Sequence, residues 1–289
     1  MRKRKIGLHS FMILPALLLF TVFFLYPLGK GIGMSMTDWD GIKAAKFIGL
    51  KNFKIFFQDK RALSDVRNTL LFALGSAPLL NIIGLGYALL MNSHFKGKSV
   101  ARMLIYMPAI ISPLIMGYIW YLILQPGRGY LYQVFERIGY GNLLGNWMGQ
   151  FSTTMLVLVL VNVWQYAGMT MVIYLAGLQS ISGELYEAAR MDGATDIQCF
   201  VKITLPLLIP SIRINVVTNI IGSLSVFDIV MSLTGGGPGY QTETLSIYIM
   251  RMCYGSKTGY STAVALIMFL IILIPVIVAM KLTDKEATT

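Results

Sequence analysis

Apolar residues run along this chain in six long blocks separated by short polar segments. The blocks lie near positions 11–32, 68–91, 103–124, 153–178, 207–233 and 260–282. Each is close to the ~20 residues an α-helix needs to cross a hydrocarbon core about 30 Å thick. Lipid offers no hydrogen-bond partners, so a block this long and continuous satisfies its backbone only as a helix. The pattern therefore predicts an all-α membrane protein: six transmembrane helices forming one domain over residues 1–289, with a polar segment at 179–206 standing outside the bundle. Pro15, Pro27, Pro78, Pro108, Pro113, Pro206, Pro210 and Pro275 lie in or beside the blocks, where kinks open cavities. The pairs Gly29/Gly33 and Gly84/Gly86 predict close approach between helices.

Composition agrees with the pattern. Hydrophobic residues make up 56% of the chain and charged residues 13%, about half the usual charged fraction. As a water-soluble globule such a chain would leave large apolar surfaces uncovered. The net charge of +11 comes from bases in short segments between apolar blocks. That arrangement suits anionic headgroups and not nucleic acid, which needs a basic stripe with stacking aromatics on a soluble face.

Four bases in the first five residues predict a cytoplasmic N-terminus, and six crossings return the C-terminus to the same side. The start resembles a secretory signal, but its apolar run continues to spanning length with no small-x-small cleavage site, so a retained first helix is expected. The other connections do not discriminate. Basic residues come to eleven on each side, because the connection between the first two blocks alone carries seven. The two cysteines, Cys199 and Cys253, fall on opposite sides in this topology, which argues against a disulfide.

Catalytic chemistry finds little footing. Gly97-Lys98-Ser99 matches the end of a P-loop, yet Asn92 stands where the first glycine belongs and an apolar helix precedes it. His9 and His94 are far apart, and no pair of carboxylates sits within a block. No enzyme activity, metal site or bound cofactor is expected of the chain itself.

The most informative segment runs from Ser182 to Pro206. Ser182 stands where it can cap a short helix whose first turns carry Glu184 and Glu187, acids that complement the positive helix end. Gly193 supplies a left-handed stop. A second helix opens at Thr195-x-x-Gln198 with capping-box spacing and ends before Pro206. The expected product is a helix-turn-helix hairpin outside the lipid.

In this segment Glu187, Ala188, Ala189, Gly193, Ile203, Leu205 and Pro206 follow the EAA motif of the integral membrane subunits of binding-protein-dependent ABC importers. Met191-Asp192-Gly193-Ala194 resembles the carbohydrate branch, relatives of maltose and oligosaccharide permeases. Phe47-Ile48-Gly49-Leu50-Lys51-Asn52-Phe53, Arg102 with Pro108 and Ser112-Pro113, and Leu233-Thr234-Gly235-Gly236-Gly237-Pro238 resemble that branch as well, so the likeness covers essentially the whole chain.

The resemblance implies a type I ABC importer permease in a bacterial-type inner membrane, importing a sugar, most naturally an oligosaccharide. Glu184, Glu187, Ala188, Ala189, Asp192 and Gly193 would couple to a separate ATPase. The implied partners are a second homologous permease subunit, two ATPase subunits that hold ATP and Mg, an extracellular solute-binding protein, the sugar and membrane lipid. The first outer connection, about 35 residues, lacks the inserted domain of the best-known maltose member, so no role of that domain carries over.

Polar residues within spans are the natural candidates for the solute path. They are Asn162, Gln165 and Tyr166 in the fourth block, and Asn215, Thr218, Asn219, Ser223, Ser225 and Asp228 in the fifth. Similarity to maltose permeases singles out Gln165, Tyr166 and the stretch Ser223 to Phe227. Packing between helices is the alternative reading of these groups, and Asp228, near the end of its block, faces either the path or water. Arg213 is expected to snorkel, and Tyr118, Trp120 and Tyr121 to form an interfacial belt. Two other functions stay open: import of another solute such as a glycerol-phosphate ester, which would favour bases near the midplane, and ion-coupled secondary transport, which would favour buried acids and inverted repeats.

Overall fold

A computed structural model describes residues 8–93, 96–141 and 147–286. The basic cluster before residue 8 and His94 lie outside the described residues. The described chain is helical, with one isolated bridge between Thr37 and Phe47. In order the helices are α1 Leu8–Phe20, α2 Tyr26–Ser35, α3 Lys51–Gln58, α4 Lys60–Asn92, α5 Lys98–Ile110, α6 Pro113–Leu124, α7 Tyr130–Arg137 and α8 Phe151–Gln179. They continue as α9 Gly183–Met191, α10 Asp196–Cys199, α11 Leu205–Leu207, α12 Ile209–Leu224, α13 Asp228–Leu233, α14 Leu245–Tyr254 and α15 Thr258–Glu286. Among the described residues four helical stretches are long and apolar enough to cross a membrane: Ile13–Ser35, Lys60–Asn92, Phe151–Gln179 and Thr258–Thr283.

Contacts divide the chain into two compact groups. The first comprises residues 1–60 and 248–268. Here a π turn at Thr21–Leu25 joins α1 to α2; Pro27 has no N–H to give to the preceding turn, and the wider turn absorbs the loss. The connection after α2 folds back on the helix end. Asn52, buried in the first turn of α3, donates from Nδ2 to the carbonyls of Ser35 at 2.7 Å and Thr37 at 2.8 Å. Gly259 donates its N–H to the Trp39 carbonyl and lies so close to the Thr37 carbonyl that no Cβ would fit. At the other end of α3, Tyr248 donates its hydroxyl to Asp59 at 2.5 Å. Burial and this carboxylate together push the Tyr248 hydroxyl well above its ordinary pKa.

The second group comprises residues 61–247 and 269–289. Its core gathers Phe72 and Leu80 of α4, Leu124 of α6, Leu158, Val161 and Ala167 of α8, and Ile229, Val230 and Leu233 of α13. A second cluster joins Ala88 and Met91 to Met171, Tyr174, Leu178 and Leu208.

Two of the six predicted blocks are not continuous helices. The third bends by 97° between α5 and α6. Pro113 opens α6, and the ring of a proline pushes the residue before it out of the α region; Ile111 and Ser112 are extended accordingly. The fifth block is bent at its start and broken within. At its start the second arm of the predicted hairpin, Asp196–Leu207, meets α12 at 67°, flanked by Pro206 and Pro210. Further on, α12 ends at Leu224 and α13 begins only at Asp228. No proline lies at this second break; Thr244 Oγ1 donates to the carbonyl of Val226 at 3.0 Å and takes up a backbone acceptor that the helix would otherwise use.

Glycine packing also differs from expectation. A Cβ on Gly29, Gly33 or Gly86 would meet nothing within 4 Å, and of the four glycines expected to admit a neighbour only Gly84 does so, against Thr170. The tight approaches are Gly117 on Ser232, Gly168 on the Ile105 carbonyl and Gly177 on Ser211. These are isolated glycines facing another helix, without the paired spacing.

Candidate functional site

The two interrupted blocks shape a cavity of about 380 Å³. Its walls come from the middle of α8, one face of α12, the non-helical stretch Ser225–Phe227 and the start of α13, with Leu80 of α4 and Pro113 of α6 closing the sides. An unbroken fifth helix would carry Asp228 past this space; the break turns Asp228 and Phe227 into its lining.

Hydrogen bonding sorts the lining groups into those already occupied and those left available. Asn162 donates to Ser76 Oγ at 2.6 Å. Thr170 and Asn219 share a bond at 3.4 Å, and Asn215 Nδ2 donates to the Thr170 carbonyl at 3.3 Å. The hydroxyls of Thr218 and Ser225 donate back to the carbonyls of Ile214 and Ile221, each at 2.7 Å. By contrast, Ser223 Oγ and Asn215 Oδ1 are buried with no protein partner. A buried polar atom without a partner costs about 1–3 kcal/mol, and these two belong to residues that line the cavity. Tyr166 is half-buried and offers a ring face, and Asp228 supplies the one charge in the lining.

Of the predicted pathway residues, the cavity brings together Tyr166, Ser223, Ser225 and Asp228, along with Asn162, Asn215, Thr218 and Asn219. Gln165 is not among them. It is fully buried on the other side of α8, where Nε2 donates to the Ile111 carbonyl that the bend before Pro113 sets free. Helical spacing explains the difference, since neighbouring residues on a helix point about 100° apart. Arg213 does not simply extend toward headgroups: its Nε donates to Thr283 Oγ1 at 3.1 Å. Trp120 packs edge-on against Trp164 and against the core cluster. Sequence reading missed Met169, Ile173 and Ile229 as apolar lining, because nothing in the pattern distinguishes them from core residues.

A second feature is the hairpin from Ser182 to Thr204. Helix α9 ends at Met191, and Gly193 takes a left-handed φ of +81° while donating its N–H to the Arg190 carbonyl. The capping box at Thr195 and Gln198 is complete, with bonds of 2.8 and 3.3 Å. Ser182 occupies the cap position of α9, but its side chain accepts no bond. Tyr186 and Thr204 join the two arms through their hydroxyls at 2.9 Å. Glu184, Glu187, Ala188, Asp192 and Gly193 are exposed and Ala189 is half-buried. Apolar Leu185, Met191 and Ile197 are also open, Met191 at 88%. Cys199 is buried beneath the turn, whereas Cys253 is exposed.

Among the described residues no group of His, Cys, Asp or Glu side chains could hold a metal ion. The arrangement offers binding and shape.

Comparison with known proteins places this geometry. Residues 81–287 match the family described as binding-protein-dependent transport system inner membrane component. A probable starch degradation products transport system permease protein of Thermoanaerobacterium thermosulfurigenes, AmyD, is 33% identical over 95% of this chain and 93% of its own. The trehalose/maltose transport system permease protein MalF of Thermococcus litoralis is 31% identical over 97% and 95%. A chain in the crystal structure of a bacterial ABC transporter involved in import of the acidic polysaccharide alginate superposes with a TM-score of 0.80, at 27% identity and with 96% and 95% coverage. A family match over most of the chain, joined to relatives that align nearly end to end, is decisive: this protein belongs to the binding-protein-dependent transport system inner membrane components, the permease subunits of ABC importers.

Proposed function

We propose that the chain is a pathway-forming subunit of an ATP-driven importer for an uncharged sugar, most naturally an oligosaccharide. The observation that carries this reading is the cavity lining: hydroxyls and amides, two of them with buried unpaired atoms, beside the aromatic rings of Tyr166 and Phe227. Sugars need hydrogen-bond partners around the ring edge and an apolar face to rest on. A glycerol-phosphate ester is disfavoured because the lining contains no lysine, arginine or histidine and does contain Asp228. A carboxylate in a confined cavity repels a like charge more strongly than it would in water.

In this reading the whole chain acts as one permease domain with six crossings, each bent pair counting as one, and both termini cytoplasmic. The hairpin is the coupling element. Its exposed Glu187, Ala188 and Met191 would dock on an ATPase that holds ATP and Mg, while a second homologous permease completes the pathway and a solute-binding protein delivers the sugar. Secondary transport would leave this self-capped, outward-facing hairpin without a role.

Uptake of a panel of radiolabelled neutral sugars, acidic sugars and a glycerol-phosphate ester in a strain lacking this chain, with and without its restored gene, tests the reading. Restoration should be confined to one or a few neutral sugars. Restored uptake of a phosphate ester, or uptake that survives loss of the ATPase, would refute it. Sidedness is tested with a membrane-impermeant thiol reagent, which should label Cys253 in intact cells. Cys199 is silent in that assay because it is buried, so a Ser182→Cys variant, exposed and free of side-chain bonds, serves as the inner reporter.

A further inference from the structure

The connection from α2 through the first residue of α4 carries five lysines at 43, 46, 51, 54 and 60, an excess that contributes to the tie in basic residues between the two sides. Its geometry gives these lysines a use. The connection is pinned at the level where two membrane-length helices end. Asn52 bonds the last residue of α2, Trp39 accepts from the second residue of α15, and Thr37 pairs with Phe47. Helix α3 is therefore fixed at the boundary of the apolar zone.

The faces of α3 divide by chemistry. Asn52 and Phe56 are buried against the protein, while Lys51 and Lys54 are exposed on the far side. Ile55 and Phe57 flank them, and Phe57 is 66% exposed. Ile42, Phe47 and Leu50 are also open. No described carboxylate lies within ion-pair distance of the five lysines. The nearby acids are otherwise engaged: Asp38 accepts from the Lys46 N–H, and Asp40 accepts from the N–H groups of Ile42 and Lys43. Exposed aromatic and aliphatic side chains interleaved with unpaired ammonium groups at a membrane boundary match an interface whose outer layer is anionic and whose inner layer is hydrocarbon.

We propose that residues 42–57 form a docking platform for anionic phospholipid headgroups, with Lys51 and Lys54 binding phosphate oxygens and Phe57, Phe47 and Leu50 entering the upper acyl region. The platform does not depend on which side of the membrane it occupies, nor on the solute carried. Its excess of cations then holds lipid, and need not report topology.

The test uses the assembled transporter in nanodiscs of phosphatidylcholine alone or with one part in three of phosphatidylglycerol. A water-soluble acetylating reagent is applied and lysine modification is followed by mass spectrometry. Phosphatidylglycerol should slow acetylation of Lys51 and Lys54 by about threefold or more, and high salt should reverse the effect in part. In a Phe47→Ser/Phe57→Ser variant the slowing should shrink although all lysines remain, and sugar uptake should persist. Equal reactivity in the two lipids would overturn the proposal. So would protection that appears only when the solute-binding protein or the second permease is added, because the surface would then belong to a protein partner.

Discussion

The cavity and the hairpin solve opposite problems with the same kind of polar residue. Around the cavity, Ser223 Oγ and Asn215 Oδ1 are buried without a protein partner, as Arg102 Nε, Trp120 Nε1 and Gln165 Oε1 are elsewhere in the bundle. In the hairpin, Thr195, Gln198, Gly193 and Tyr186 consume their polar groups locally, while Leu185 and Met191 are left uncovered. Unspent hydrogen-bonding capacity marks a surface for a polar ligand. Spent capacity with uncovered apolar side chains marks a rigid body that another protein grips.

The strongest test of that contrast breaks one region while sparing the other. Gly168→Val would drive a branched side chain into the Ile105 carbonyl, and overpacking of this kind costs about 1–3 kcal/mol. Membrane abundance and thermal stability should fall, with the hairpin's docking intact in whatever protein assembles. Gly193→Val should do the reverse. A β-branched residue at φ +81° costs about 1–2 kcal/mol, so stimulated ATP hydrolysis should drop by about tenfold at normal abundance. Unchanged hydrolysis in a fully assembled complex would remove the hairpin from the coupling path.

Smaller effects separate the groups within each region. Ser223→Ala and Tyr166→Phe each remove one hydroxyl, worth about 0.5–1.5 kcal/mol. Uptake at limiting sugar should fall a few-fold with abundance unchanged, whereas loss of abundance would make these packing residues. The mildest pair lies in the hairpin. Thr195→Ala loses a complete capping box and should cost about 1 kcal/mol in thermal denaturation. Ser182→Ala loses no bond and should be nearly silent.

Much of this was legible in the chain. Four of the six apolar blocks coincide with helical stretches long and apolar enough to cross a membrane, and the Thr195-x-x-Gln198 spacing and Gly193 fixed the hairpin turn, because capping and left-handed stops are local events governed by a few adjacent residues. Breaks within apolar blocks were harder. The proline at 113 signalled a kink, yet its 97° size depends on both Ile111 and Ser112 becoming extended. The break at Ser225–Phe227 was invisible, since the hydroxyl that takes up the Val226 carbonyl comes from Thr244, 18 residues away. Gln165 was assigned to the path on type and neighbourhood; its direction on α8 is set by the bend it repairs.

That distant hydroxyl has a mechanical meaning. A corner imposed by proline is permanent, because no rearrangement supplies the missing N–H. The corner before Asp228 keeps all its backbone donors, and Thr244 contributes a bond of net worth about 1 kcal/mol. Phe227 and Asp228 are thus held in the cavity wall by one side-chain bond from Thr244 together with the burial of Ile229, Val230 and Leu233 just beyond them, whereas the corner at Pro113 is written into the backbone itself.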